Sequence, residues 1–209
     1  MGPGNRNALA QESSDVVGPA VSVAKSPCHE QSNGSPSFGM AYASGSEKCM
    51  IELRYRQARR NDIPAMAEIR AADWGTEEYW RVRIFQYLTY ELHPKEALRP
   101  RISYVCVERE SVVGLIAGHL THRFGCDGEL EWISIRLQYR GRGIASELLR
   151  RLSKWFVKHN ALRVCVDVEP SNEIARRFYQ RNGAADLKPH WMIWEDIRRG
   201  IEGQRHPAP

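Results

Sequence analysis

The residues Gln138-x-x-Gly141-x-Gly143 could bind an anion, because they stand where a buried strand gives way to a helix. Leu130, Trp132, Ile133 and Ile135 form an apolar, β-branched and aromatic run, the pattern of a strand covered on both faces. From Ile144 onward, Ile144, Ala145, Leu148, Leu149, Leu152 and Phe156 recur at helical spacing, while Arg150, Arg151, Lys154 and Lys158 take the wet face. The first turn of such a helix presents unpaired N–H groups and the positive end of its dipole. Gly141 and Gly143 lack the Cβ atoms that would hold a diphosphate away from the amides, and Arg140 and Arg142 add cationic side chains. A second set lies in residues 169–183. On a helix, Asn172, Ala175 and Tyr179 share one side: an amide, a small residue, and a phenol one turn on. That side suits a groove in which a ligand lies flat, with Ala175 leaving room. Ile174, Phe178 and Arg181 share the other side, which this reading assigns to the core.

The elements that must hold these groups follow from the same periodicities. Residues 51–58 alternate apolar and charged side chains and read as a strand. Asp62 and Pro64 open a helix that runs to about Asp73. Gly75-Thr76 breaks it, and Thr76 with Glu77 and Glu78 starts a second helix over 77–93, stopped by Pro94. Its Tyr79, Trp80, Phe85, Tyr87 and Tyr90 read as core packing. Residues 102–108 and 112–121 form an antiparallel hairpin turning at Glu110-Ser111. After the strand 129–135 and helix 143–158 come a buried strand over 162–168 and a helix over 172–182. Ser171 is the expected N-cap of that helix and Gly183 its C′ residue, and a last strand spans 190–195. The βαβ unit makes strands 129–135 and 162–168 parallel, with a right-handed crossover. The expected class is therefore α/β (α+β), with a mixed sheet.

Of the 209 residues, the first 49 are rich in Ser, Gly, Ala and Pro and cannot bury enough surface to offset chain entropy. The expected organisation is a disordered tail over 1–49, a folded domain over 50–197 and a flexible tail over 198–209. Met50 directly precedes the first strand, so translation from Met50 or Met40 is a further expectation, tested by the intact mass of the native protein. The net charge of +5 comes from scattered Arg pairs, which fits a solvated surface with one polyanionic small ligand better than nucleic acid. Five cysteines without CxxC spacing point to a reducing, cytoplasmic setting and away from a zinc site or a disulfide frame. No apolar run approaches the length of a membrane span.

Gln138-Tyr139-Arg140-Gly141-Arg142-Gly143 after one strand, and Asn172-x-x-Ala175-x-x-Phe178-Tyr179 with Gly183 after the next, resemble the two signature motifs of the GNAT superfamily of acyl-CoA-dependent N-acetyltransferases. The resemblance covers residues 51–196 in the same element order. It implies a mixed, mostly antiparallel sheet whose two central parallel strands splay apart, with helices on both faces and acetyl-CoA in the V. It implies that backbone groups of Ile133, Ser134 and Ile135 pair with the pantetheine and polarise the thioester carbonyl. It likewise implies that Gln138, Arg140, Gly141, Arg142, Gly143, Ile144 and Ala145 hold the diphosphate. Asn172 would contact the pantetheine arm beside Ala175, and Tyr179 would protonate the departing thiolate. Glu129 matches the strand glutamate that serves as base in some members, and Glu131 lies two residues on. A bulge, common in this strand of the family, would disturb their parity. Leu137 replaces a frequent Pro, without a functional consequence.

Rival readings fit less well. A dinucleotide-binding fold would want a third glycine or alanine where Ser146 stands, and a Walker loop would want Gly-Lys-Ser/Thr. A non-catalytic acyl-CoA-binding regulatory module is the alternative on the same fold. The acceptor, a small molecule or protein amine, would meet the segments 72–80 and 188–191. Their aromatics, with Asp73, Glu77 and Glu78, favour a cationic amine. No metal is expected, and the chain would act as monomer or homodimer.

Overall fold

Hydrophobic alternation places one central sheet between two helical layers. The computed structural model describes residues 52–91, 94 and 96–202; the expected tail over 1–49 lies outside the described residues, as does 203–209. The elements are β1 (Leu53–Gln57), α1 (Ile63–Ala71), α2 (Glu77–Thr89), β2 (Ala97–Glu108), β3 (Ser111–Thr121), β4 (Gly128–Ile135), α3 (Ile144–Lys158), β5 (Val164–Asp167), α4 (Glu173–Arg181), β6 (Ala185–Lys188), β7 (Trp191–Trp194) and α5 (Arg199–Glu202). The sheet runs β1-β2-β3-β4-β5-β7-β6, and every neighbouring pair is antiparallel except β4 and β5. Against one face pack α1 and α2, with Met66, Ile84 and Trp80 meeting Val105, Leu115 and Trp132. Against the other pack α3 and α4, with Leu148, Leu152, Phe156 and Tyr179 meeting Leu130, Ile133 and Val166. None of the described helices is long and apolar enough to cross a membrane.

The parallel pair is short. Gly128, Glu129 and Leu130 pair with Val164, Cys165 and Val166, and the ladder stops there although β4 continues to Ile135. Beyond Leu130, β4 stays paired with β3 only, so the strands diverge and the edge of residues 131–135 facing β5 joins no ladder. A bulge sits at the divergence: Leu130 faces Gly118 and Trp132 faces Ala117, leaving Glu131 as the extra residue. The bulge reverses the parity of everything after it. Leu130 and Ile133 therefore both reach the α3 side, while Trp132 reaches α1 and α2.

Several sequence expectations shift. The β2–β3 turn is Arg109-Glu110, both at positive φ (51° and 85°), one residue earlier than the polar pair suggested. Helix α2 closes at Thr89 rather than near His93, because Tyr90 adopts the left-handed conformation (φ 66°) and ends it before Pro94. Asn172, not Ser171, caps α4, its Oδ1 accepting from Ala175 N at 3.1 Å. The C-terminus of α4 is as expected: Gly183 (φ 90°) donates to Gln180 O, and Ala184 N reaches Tyr179 O at 3.0 Å. Strand β6 carries the mixed sequence ADLK, which shows no period, and was not anticipated. The tail expected from 198 begins as a helical turn, α5, with Gly200 buried against α3.

Gly128 is where β4 passes under α3. A Cβ there would lie 2.4 Å from the ring of Phe156, which is fully buried. Gly128→Ala is expected to destabilise the fold by about 1–3 kcal/mol through overpacking. The check is a lower urea midpoint with an unchanged slope.

Candidate active site

The glycine turn has the form an anion cradle needs. Gly141 and Gly143 both hold φ near +78° (78° and 77°), a conformation that disfavours any side chain. Apart from the adjoining residues of the turn, no described atom lies within 4 Å of where either Cβ would stand, so the turn's backbone faces open space. Gly143 is the N-cap of α3, a fifteen-residue helix whose first amides point into that space. Beside it runs a cleft of about 270 Å³ lined by Ile133, Ser134, Ile135, Arg140, Gly141, Gly143, Ile144 and Ala145 from the expected set. Tyr139, Ser146, Ile174, Phe178 and Arg181 complete the lining. Gln138 and Arg142 are exposed at its rim, and the Arg142 guanidinium lies 4.9 Å over the Tyr139 ring. Arg140 does not project as expected. Its Nε donates to Ile135 O and its Nη2 to Asp73 Oδ1, both at 3.0 Å, so the cation braces the turn from within.

The two sides of α4 exchange the roles the sequence suggested. Ile174, Phe178 and Arg181 line the cleft, and Ile174 is 41 % exposed. Ala175 and Tyr179 are fully buried in the core instead. The physical reason is the splay: α4 lies across the opening between β4 and β5, so an apolar side meets the cleft and the phenol side meets the sheet. Tyr179 packs edge-on to Trp194 (5.6 Å between centroids), and its hydroxyl is buried with no hydrogen-bond partner. Burial holds that phenol well above its ordinary pKa, and Arg70 is the strongest charge acting against the shift. A buried, unpartnered hydroxyl is uncommon and points to a partner supplied by something other than the protein.

Both strand glutamates lie beside His119 on the α2 side of the sheet, as plain alternation ahead of the parity change requires. Glu129 accepts from Arg123 Nε at 2.8 Å, and His119 Nε2 is 3.6 Å away. Glu131 lies 3.6 Å from Arg83 and 3.9 Å from His119 Nδ1; burial pushes its carboxyl up, and the charge of Glu129 adds to this. His119 Nδ1 also meets Tyr87 Oη at 3.2 Å. The oxygens and nitrogen of His119, Glu129 and Glu131 come within 4.8 Å of one another, a spacing a cation could use. Arg123 and Arg83 already stand against the two carboxylates, so the local charge works against a metal ion.

The acetyltransferase (GNAT) family model matches residues 63–184, more than half of the chain. The chain belongs to the GNAT family. Among curated relatives, an uncharacterized N-acetyltransferase of Methanocaldococcus jannaschii is 32% identical over 48% of this chain and 63% of its own length. The N-alpha-acetyltransferase MAK3 of Arabidopsis thaliana is 29% identical over 63% of this chain and 66% of its own. The match thus spans just under two thirds of either relative. Ard1 from Thermoplasma volcanium shares the fold with a TM-score of 0.55, at 19% identity over 68% of this chain and 95% of that one. The PaiA N-acetyltransferase from Thermoplasma acidophilum, solved with coenzyme A, has a TM-score of 0.55 at 15% identity, covering 70% and 99% of the two chains.

Within this GNAT frame, three site features were not visible as such in the sequence. Asp73, expected to greet a cationic acceptor, is buried and turned inward, accepting from Ser134 Oγ at 2.9 Å and from Arg140. Arg70 is buried beneath β4. Asp167 ends β5 at the mouth of the V, and a lone acid in the apolar run VCVDV was the available signal. Burial lifts its carboxyl to about 6; Glu129 adds to the shift and His190 opposes it. A folded-state pKa above the ordinary 3.8 means that the folded protein binds the proton more tightly than the unfolded chain. This group's contribution is therefore present at low pH and is lost as pH rises through about 6. Asp167→Asn is expected to melt increasingly above wild type as pH is raised from about 4 to about 7. Melting curves across that range check it, and a constant difference would reject the raised pKa.

Proposed function

We propose that this GNAT chain moves an acetyl group from acetyl-CoA to a primary amine by direct attack in a ternary complex. The observation that carries the reading is the open edge of β4 between a glycine cradle and a buried phenol with no protein partner. The diphosphate would rest on the backbone of residues 138–145 at the start of α3, where its charge meets amides and the helix dipole. The pantetheine would pair along Ile133, Ser134 and Ile135 and pass Asn172, and an N–H of that edge would face the thioester oxygen as charge develops on it.

In this reading a carboxylate removes a proton from the acceptor ammonium, and the freed nitrogen attacks the thioester carbon. The C–S bond then breaks, and the thiolate takes the proton of Tyr179. The carboxyl group releases the first proton to solvent, takes the second nitrogen proton and passes it through water to the phenolate, which restores both groups with one proton released overall. Glu129, expected as base, has one carboxylate oxygen occupied by the hydrogen bond from Arg123. The base role passes to Asp167, which burial brings to about 6, close to working pH. Glu131 is the second choice, because burial raises it as well. The name of the plant relative makes peptide N-terminal α-amines the first acceptors to try, ahead of polyamines and amino sugars.

Calorimetry with acetyl-CoA and a thiol-release assay across these amines test the reading. Uptake with turnover supports it, no uptake sinks it, and uptake with complete silence favours the acyl-CoA-binding module. Tyr179→Phe is expected to lower kcat by about 10²-fold with little change in KM for acetyl-CoA. Asp167→Asn is expected to remove the acidic limb of the pH–rate profile, while Glu129→Gln keeps that limb.

A further inference from the structure

Among the described residues, three carboxylates take side chains from 136–140, the stretch that leads into the glycine turn. Glu68 of α1 receives both ends of the Arg136 guanidinium, at 2.6 and 2.7 Å. Asp73, between α1 and α2, receives Arg140 at 3.0 Å. Glu108, the last residue of β2, accepts from the hydroxyl of Tyr139 at 2.5 Å. In the first two pairs a cation cancels the acid. The third is different: a phenol brings no charge, and the guanidinium of Arg142 stands 4.0 Å off on a side chain that is 51% exposed. The other oxygen of Glu108 is buried and makes no hydrogen bond with a described residue. A half-satisfied carboxylate beside a cradle for an anion is unfavourable on two counts, the unpaired oxygen and the like charge. Charge balance therefore gives no reason for an acid here.

Geometry gives one. The turn has little of its own to hold its shape. Leu137, Gln138, Gly141, Arg142 and Gly143 are exposed, and the two glycines are the most flexible residues in the stretch. Arg140 ties it to Ile135 and Asp73, on the α1 side. Tyr139 ties it to the end of β2, through one of the stronger hydrogen bonds a phenol can make. With one tie the turn could pivot; two ties to separate elements fix which way its amides point before a ligand arrives.

We propose that Glu108 is a positioning residue for the acyl carrier: through the hydroxyl of Tyr139 it fixes the second side of the glycine turn. The protein thereby selects thioesters that carry a diphosphate over those that end at pantetheine. The inference rests on the acetyl-transfer reading above and deepens it at the carrier end. What Glu108 supplies is an acceptor oxygen in the right place, and its charge is incidental.

Kinetics with two donors, acetyl-CoA and acetyl-pantetheine, test this. Glu108→Ala and Tyr139→Phe are each expected to raise KM for acetyl-CoA about 5- to 20-fold with kcat within about twofold, the size of one lost hydrogen bond. Constants for acetyl-pantetheine, which has no diphosphate to place, are expected to stay within about twofold. Glu108→Gln keeps an acceptor oxygen without the charge and is expected to recover most of the loss. The Glu108→Ala/Tyr139→Phe pair is expected to be no worse than either single variant. Equal losses with both donors, a Gln variant as poor as the Ala variant, additive losses in the pair, or tighter acetyl-CoA binding once the charge is gone would each overturn the proposal and leave the acetyl-transfer reading intact. A wild-type protein that takes up no CoA would overturn both.

Discussion

Everything in this molecule depends on β4 parting from β5 after Leu130. Up to that residue the two strands satisfy each other's backbone groups. Past it, the N–H and C=O groups of residues 131–135 on one edge join no ladder, inside a protein where such groups are normally paired. The bulge at Glu131 and the early end of β5 at Asp167 produce the parting together. A sheet that opens in its middle offers an extended ligand a strand's worth of backbone partners, and the other site features gather around that opening. The glycine turn lies at its far end, α4 crosses its mouth, and α1 brings Arg70 beneath it.

Charge in the interior is arranged as a chain of neighbours rather than as isolated pairs. Arg140, Asp73, Ser134 and Arg70 run in sequence from the turn to the centre of the V, linked by hydrogen bonds of 2.9 to 3.0 Å. Toward the start of β4, on the same face, Arg123, Glu129, His119 and Tyr87 form a second series. Both series join the α1–α2 layer to the strand on which the chemistry would occur. A low-dielectric interior makes such networks stiff and makes the loss of one member expensive.

Much of the frame was legible in the sequence because it rests on strong periodicity. The strand before Gln138, the helix after Gly143 and the glycines between them follow from apolar spacing and from residues that only certain backbones favour. The faces of α4 were not legible. Helical spacing separates Ile174 and Phe178 from Ala175 and Tyr179, yet it cannot say which side meets solvent, core or cleft. The usual rule of apolar side inward fails where an apolar cleft lies beneath the helix. Likewise β6 lacks a period, and Tyr90 ends α2 through a backbone conformation that its residue type does not advertise. The position of Arg70 was hidden for a related reason: an arginine in an amphipathic helix reads as surface unless the fold buries it.

The inward commitment of Arg140 has a consequence for how the diphosphate handle can change over time. With that guanidinium bracing Ile135 and Asp73, Arg140 offers an anion less than its position suggests, and main-chain amides, which every residue type but proline supplies, carry more of the attraction. The turn's outward side chains are then free to drift in charge and size so long as the two glycines keep their φ. If the turn holds an acyl carrier as proposed, that part of the protein would tolerate sequence divergence that the acceptor side would not.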